Sequence, residues 1–230
     1  MTSLSILEHT LYINLESRKD RLEHVQKELQ RIGIVGIRFN AIKTASGAIG
    51  CSLSHIKCLE IAKENNYPQV FICEDDITFL NPGLFVENLS QFVQSDMYDL
   101  WDVVIVSGNN CPPYIKYGDF CIKISNCQAA TGYIVKNHYY DTLIENMKEG
   151  VKQLLNDVEN KHQFAVDMYW KHLQVRDNWF MIVPPTVVQY ENYSDIECRH
   201  VNYQGLMTDL DKKWLFQQQY IHQMSSVLPK

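Results

Sequence analysis

Four short apolar runs alternate with stretches of helical spacing in the first half of this 230-residue chain, and that alternation restricts the fold more than any other feature. TLYINL (10–15), GIRFNA (36–41), QVFIC (69–73) and WDVVIVSG (101–108) have the length and composition of strands. Between the first two, Leu22, Val25, Leu29 and Ile32 recur at steps of 3, 4 and 3, which is one face of a helix that Ser17 is placed to cap. Ile56, Leu59 and Ala62 or Lys63 mark a second helix within SLSHIKCLEIAKENN, after a Gly-containing loop (KTASGAIG), with Ser52 or Ser54 as its cap. Pro82 suits the first turn of a third, running to about Ser95. The order β-α-β-α-β-α-β predicts an α/β fold whose mostly parallel central sheet is flanked by crossover helices.

Beyond residue 108 the pattern is less regular. NNCPPYIKYGD (109–119) has the composition of a loop, CIKI and TGYIV of strands, and a helix is expected near 137–149. VDMYWKHLQ suits a helix, WFMIV a strand stopped by Pro184-Pro185, and the tail from about Asp209 to Met224 another helix. No Pro- or Ser-rich linker divides the chain, so a single domain is expected.

A formal charge of −6 without a basic stripe argues against nucleic-acid binding. Seven cysteines, none in a C-x-x-C pair, favour reduced thiols over a zinc ribbon. No apolar run approaches the roughly 20 residues that span a bilayer. With no signal-peptide pattern at the N-terminus, the expected location is cytoplasmic.

The chemistry concentrates in VFICEDDIT (70–78), where a buried-type strand ends on three adjacent carboxylates, Glu74, Asp75 and Asp76. Ligands of open α/β sheets bind beyond the carboxyl ends of strands. Strand alternation would send Glu74 and Asp76 to one side and Asp75 to the other. Two carboxylates on one side suit a hard cation, Mn²⁺ or Mg²⁺, commonly completed by substrate phosphates. A plain charged turn after a strand is the simpler alternative. The chain has neither G-x-x-x-x-G-K-[ST] nor a G-x-G-x-x-G after its first strand, which leaves a nucleotide-sugar diphosphate as the common remaining use of such acids.

Several blocks occur in an order that resembles glycosyltransferase family 25, which includes lipooligosaccharide and procollagen galactosyltransferases. NLESRKDR (14–21) resembles its N-L-x-x-R-x-x-R opening, GCSLSH (50–55) its G-C-x-x-S-H block, and FICEDDI (71–77) its E-D-D block. ATGYIV (130–135), VDMYW (166–170) and VVQYENYSDIE (187–197) resemble later segments. Ile49 stands where the family carries an acid before the glycine, and the insert ahead of GCSLSH is short.

The resemblance implies a GT-A type fold, with about 1–108 as a nucleotide-sugar-binding half and about 109–230 as an acceptor half. It implies a metal-dependent, inverting transfer of galactose or glucose from a UDP-sugar to a hydroxyl, on a lipooligosaccharide sugar or on collagen-type hydroxylysine, and it is compatible with a homodimer. Glu74, Asp76 and His200 are the implied metal ligands. Asn14, Arg18, Ser54, His55, Asp75 and Gln189 are the implied donor-binding residues, with Ser54 and His55 at a helix N-terminus that favours anions. Asp167 is the implied base and Asp195 its runner-up, while packing over the sheet is expected of Arg21. The competing readings are an inactive nucleotide-sugar-binding module and, less consistent with the absence of His-x-His or His-x-Asp pairs, a metal-dependent phosphohydrolase.

Overall fold

The computed structural model describes residues 3–215. The first half follows the expected alternation with one unexpected strand, β4, added after the acidic triplet: β1 (Thr10–Asn14), α1 (Lys19–Arg31), β2 (Ile37–Asn40), α2 (Gly47–Glu64), β3 (Gln69–Glu74), β4 (Ile77–Phe79), α3 (Pro82–Gln94) and β5 (Val103–Asn110). The second half comprises β6 (Tyr114–Tyr117), β7 (Cys121–Ile124), β8 (Cys127–Lys136), α4 (Tyr140–Asn156), α5 (Lys161–Phe164), α6 (Val166–Tyr169) and α7 (Lys171–Arg176). It continues through β9 (Trp179–Ile182), β10 (Val187–Gln189), β11 (Asn192–Ser194), β12 (Arg199–Val201) and α8 (Gln204–Thr208). The tail helix expected over 209–224 lies mostly outside the described residues.

Eight strands form one sheet in the order β2-β1-β3-β8-β5-β9-β7-β6. Both faces are covered, and side-chain alternation divides the core between them. Leu11, Val70, Ile72, Val103, Ile105 and Tyr133 pack with α2 and α4, while Tyr12, Phe71, Cys73, Val104 and Ile134 pack with α1 and α3. Burial on both faces explains why these strands are almost wholly apolar.

The sheet is mixed, which corrects the expectation of a mostly parallel one. Among the described residues, only β1–β2, β1–β3 and β5–β9 pair in parallel; β3–β8, β5–β8, β6–β7 and β7–β9 are antiparallel. The reversal originates in the stretch expected to be a loop. YIKY forms β6, Gly118 takes φ +74, and the chain turns back through β7 into β8. Glycine adopts that left-handed backbone without the penalty a Cβ brings. One reversed strand seated between β3 and β5 makes both of its ladders antiparallel.

The loop-like KTASGAIG also differs from expectation, since its second half is the first turn of α2. Ser52 and Ser54 therefore lie inside the helix, donating to the carbonyls of Ala48 and Gly50 at 2.9 and 2.7 Å, instead of capping it. Ser17 likewise precedes α1, whose N-cap is Arg18.

Beneath the acidic turn, β4 is held to α1 by Glu28. Its Oε2 accepts the buried Phe79 N–H at 2.7 Å, and Arg31 lies 2.8 Å from its other oxygen. Glu28→Ala is expected to strand that N–H and lower stability by about 1–3 kcal/mol. A denaturant midpoint unchanged from the parent would show that the contact contributes nothing.

Candidate functional site

The acidic triplet does not continue β3. The strand ends at Glu74, Asp75 and Asp76 form a turn, and β4 departs to pair with β10. Strict alternation consequently fails, and Asp75 and Asp76 meet a common partner. Arg21 Nη1 donates to Asp75 Oδ1 at 2.9 Å and to Asp76 Oδ2 at 3.1 Å. Glu74 turns instead toward α2, where its Oε1 lies 3.4 Å from Cys51 Sγ and 3.3 Å from His55 Nε2.

Neighbouring elements brace this turn. Asn14, buried at the carboxyl end of β1, donates to Asp75 Oδ2 at 2.7 Å and accepts from Arg38 Nε at 3.0 Å. The β4–β10 pairing places Gln189 opposite Ile77, from where its Nε2 donates to Asp76 Oδ2 at 2.9 Å. The β11–β12 hairpin is tethered through the Tyr193 carbonyl, which accepts from Arg18 and from Arg21, each at 3.1 Å. Asp76 Oδ1 is buried with no hydrogen-bond partner among the described residues.

Beside the turn opens a cleft of about 390 Å³, lined by Glu74, Cys51, Asn109, Thr131, Asp167 and Gln189 among others. Asp167 stands in the first turn of α6 and its Oδ2 accepts the Ala129 N–H at 2.9 Å. Ala129 takes φ +71, an uncommon conformation for a residue with a Cβ.

The other expected site residues fall differently. Ser54 is buried in α2, donating to the Gly50 carbonyl and accepting the Ile42 N–H at 2.8 Å, which makes it a latch between helix and preceding loop. His55 is fully buried in mid-helix, so the helix N-terminus expected at Ser54 and His55 is instead at Gly47. Arg18 is engaged by Asp20 at 2.9 Å and Asp195 at 2.7 Å, and half-exposed Asp195 thereby carries a counter-ion. His200 is exposed on β12 with its ring edge-on to Tyr193. Among the described residues, the group able to hold a metal ion is Cys51, His55 and Glu74, whose ligand atoms lie within 4.8 Å of one another; of the expected ligands Glu74 belongs to it, while Asp76 and His200 are outside it. Tyr133, Trp170 and Trp179 are fully buried core residues and offer no face to a sugar.

Sequence reasoning missed Arg21 and Cys51. Arg21 was visible as the second arginine of R-x-x-R, at the start of a helix leading away from β1; Cys51 stands one turn before His55.

The electrostatics follow from this crowding. Burial, then the charge of Glu74, pushes the Asp76 carboxyl up to about 7 against the opposing pull of Arg21. Burial raises Asp75 as well, with Arg21 again opposing. For Glu74 burial also acts upward, but the hydrogen bonds and charges of its neighbours, His55 first, hold it below its usual value. Asp167 is raised by burial, partly offset by the Ala129 N–H.

A carboxyl whose folded pKa exceeds its unfolded value of 3.8 is destabilising once ionised, so stability falls as pH rises from about 4 to about 7. With no divalent ion present, Asp76→Asn is therefore expected to stabilise the protein at pH 8, by about 4 kcal/mol at most and by less once the weakened Arg21 and Gln189 contacts are subtracted. The gain should vanish near pH 4, where the carboxyl is protonated in both states. Thermal melts at the two pH values read the difference, and a destabilised variant at pH 8 would contradict it.

No match is found among curated proteins. Among solved structures, the chain is similar to the glycosyltransferase GlyE of Streptococcus pneumoniae TIGR4 at 8% identity and a TM-score of 0.49, over 92% of this chain and 64% of that one. It is similar to a glycosyltransferase involved in glycosylation of the major capsid of PBCV-1 at 11% identity and a TM-score of 0.41, over 87% and 90% of the two chains. For mannose-1-phosphate geranyltransferase from Thermus thermophilus the values are 10% and 0.41, and the chain spans 62% of that protein's length while 82% of its own is covered. No helix among the described residues is long and apolar enough to cross a membrane. A model of glycosyltransferase family 25, described as LPS biosynthesis protein, matches residues 43–170, more than half of the chain. The chain belongs to glycosyltransferase family 25.

Proposed function

We propose that the cleft beside the acidic turn transfers galactose or glucose from a UDP-sugar to a hydroxyl acceptor with inversion, assisted by Mn²⁺ or Mg²⁺. The observation that carries this reading is the charge imbalance at the end of β3. Asp75 and Asp76 share one guanidinium while adjacent Glu74 has none, and a buried Asp76 oxygen has no partner among the described residues. A divalent cation supplies what that donor set lacks, and oxygen donors suit Mn²⁺ or Mg²⁺. Glu74 and Asp76 are the residues that would hold it. His200, exposed and packed on Tyr193, is left out of the set. Bound there, the ion would offset the negative charge that develops on the departing diphosphate.

The chain's own residues supply the rest. Arg21 and Asn14 fix Asp75, so the turn is rigid before a ligand arrives. A second hollow of about 360 Å³ lies at the carboxyl ends of β1 and β2, lined by Leu15, Glu16, Ser17, Asn40, Ala41 and Lys43. Its place beyond strand ends suits the uridine. Asp167 is the proposed base. It faces the same cleft as Glu74, and burial raises its carboxyl toward the operating pH, where a general base is more effective. Asp195 suits that role less because Arg18 neutralises it. Residues 1–108 would thus supply the donor side and residues 109–230 the acceptor side. The family's description as LPS biosynthesis protein favours a lipooligosaccharide sugar over hydroxylysine as acceptor.

The test is release of UDP from UDP-galactose and UDP-glucose, with and without Mn²⁺, in the presence of oligosaccharide or hydroxylysine-peptide acceptors. Acceptor-dependent release is expected, and Asp167→Asn should lower it by about 10²–10⁴-fold while donor affinity is kept. Full activity in that variant would move the base elsewhere. Metal-dependent donor binding without turnover would reduce the protein to a nucleotide-sugar binder.

A further inference from the structure

Cys51 and His55 are four residues apart on α2, so both project from one face of the helix. That face meets Glu74 at the end of β3. Glu74 Oε1 lies 3.4 Å from Cys51 Sγ and 3.3 Å from His55 Nε2, with all three donor atoms within 4.8 Å of one another. An ion held tetrahedrally at bond lengths of about 2.0–2.3 Å requires donors roughly 3.3–3.7 Å apart. Two of the three edges already have that length. The other imidazole nitrogen, Nδ1, lies 2.9 Å from the hydroxyl of buried Tyr133, a contact of the kind that orients metal-ligating histidines. Cys51 and Glu74 both line the cleft, which provides an entry path and an open fourth position for water.

We propose that Cys51, His55 and Glu74 form a zinc site that shares Glu74 with the Mn²⁺ or Mg²⁺ position proposed above but does not use Asp76. One sulfur, one nitrogen and one oxygen make a donor set that prefers Zn²⁺ to the harder ions, since thiolate and imidazole suit zinc and carboxylate-only sites suit Mg²⁺ and Mn²⁺. On binding, the thiol proton that Cys51 directs at Glu74 leaves to solvent and the sulfur turns to the ion. Nδ1–H then donates to the Tyr133 oxygen, a contact already in place. The claim concerns binding alone and stands or falls separately from hexose transfer.

The experiment uses metal-free full-length protein titrated with Co²⁺, a spectroscopic substitute for zinc, and with Zn²⁺ by calorimetry, in the parent, Cys51→Ser and Asp76→Asn. The parent should show a thiolate-to-cobalt charge-transfer band that Zn²⁺ abolishes. Cys51→Ser should lack the band and bind Zn²⁺ at least about 10-fold more weakly, whereas Asp76→Asn should retain both. As a measurement independent of folding in the variants, Zn²⁺ but not Mg²⁺ should protect Cys51 from alkylation in the parent, scored by peptide mass. Absence of the band in the parent, or zinc affinity that is unchanged in Cys51→Ser and lost in Asp76→Asn, would overturn the assignment.

Discussion

Arg21 spans the two aspartates of the acidic turn, and much of the site is arranged around that contact. Asp75 and Asp76 are almost fully buried, and a buried carboxylate is tolerable only with a partner and hydrogen bonds. One Nη1 supplies both with a partner. The same guanidinium reaches the Tyr193 carbonyl, so the start of α1, the acidic turn and the β11–β12 hairpin share one cation. The compensation is incomplete: burial first, and then the charge of Glu74 on the far side, keep the Asp76 carboxyl raised.

The reversed central strand explains how the remaining groups arrive. β8 lies between β3 and β5, with Tyr133 opposite Ile72 and Gly132 opposite Cys73. This register carries the Tyr133 hydroxyl to His55, and with it the orientation of the imidazole facing Glu74. Near the start of the same strand, Ala129 presents its N–H to Asp167. A parallel strand at that position would require a crossover connection in place of the β6–β7 hairpin that turns the chain. The antiparallel ladders thus help bring a residue of the second half against the acids of the first.

Local pattern was sufficient for four of the five strands and for the helices of the first half, because hydrophobic period and buried length identify them without tertiary information; the three-residue β4 carries no such signal. Strand direction was not legible. It depends on the hairpin at Gly118, within a stretch whose prolines and asparagines carry the composition of a loop. Helix starts were also misplaced, since Gly47 and Gly50 are weak helix formers that this turn accepts within α2. Of the site, the acidic cluster was legible as a block, whereas the contact of Gln189 with Asp76 follows only from the β4–β10 pairing. The role of Arg21 was not, because its partners are more than fifty residues away and only the β1–β3 pairing brings them together.

The claim on which this account rests is that a divalent cation bridges Glu74 and Asp76 to a nucleotide diphosphate, completing the neutralisation that Arg21 begins. Anomalous scattering from crystals soaked with Mn²⁺ and UDP measures it directly. The account predicts a manganese peak within about 2.5 Å of a carboxylate oxygen of each residue and of a diphosphate oxygen. Ordered UDP with no manganese at those side chains would contradict it.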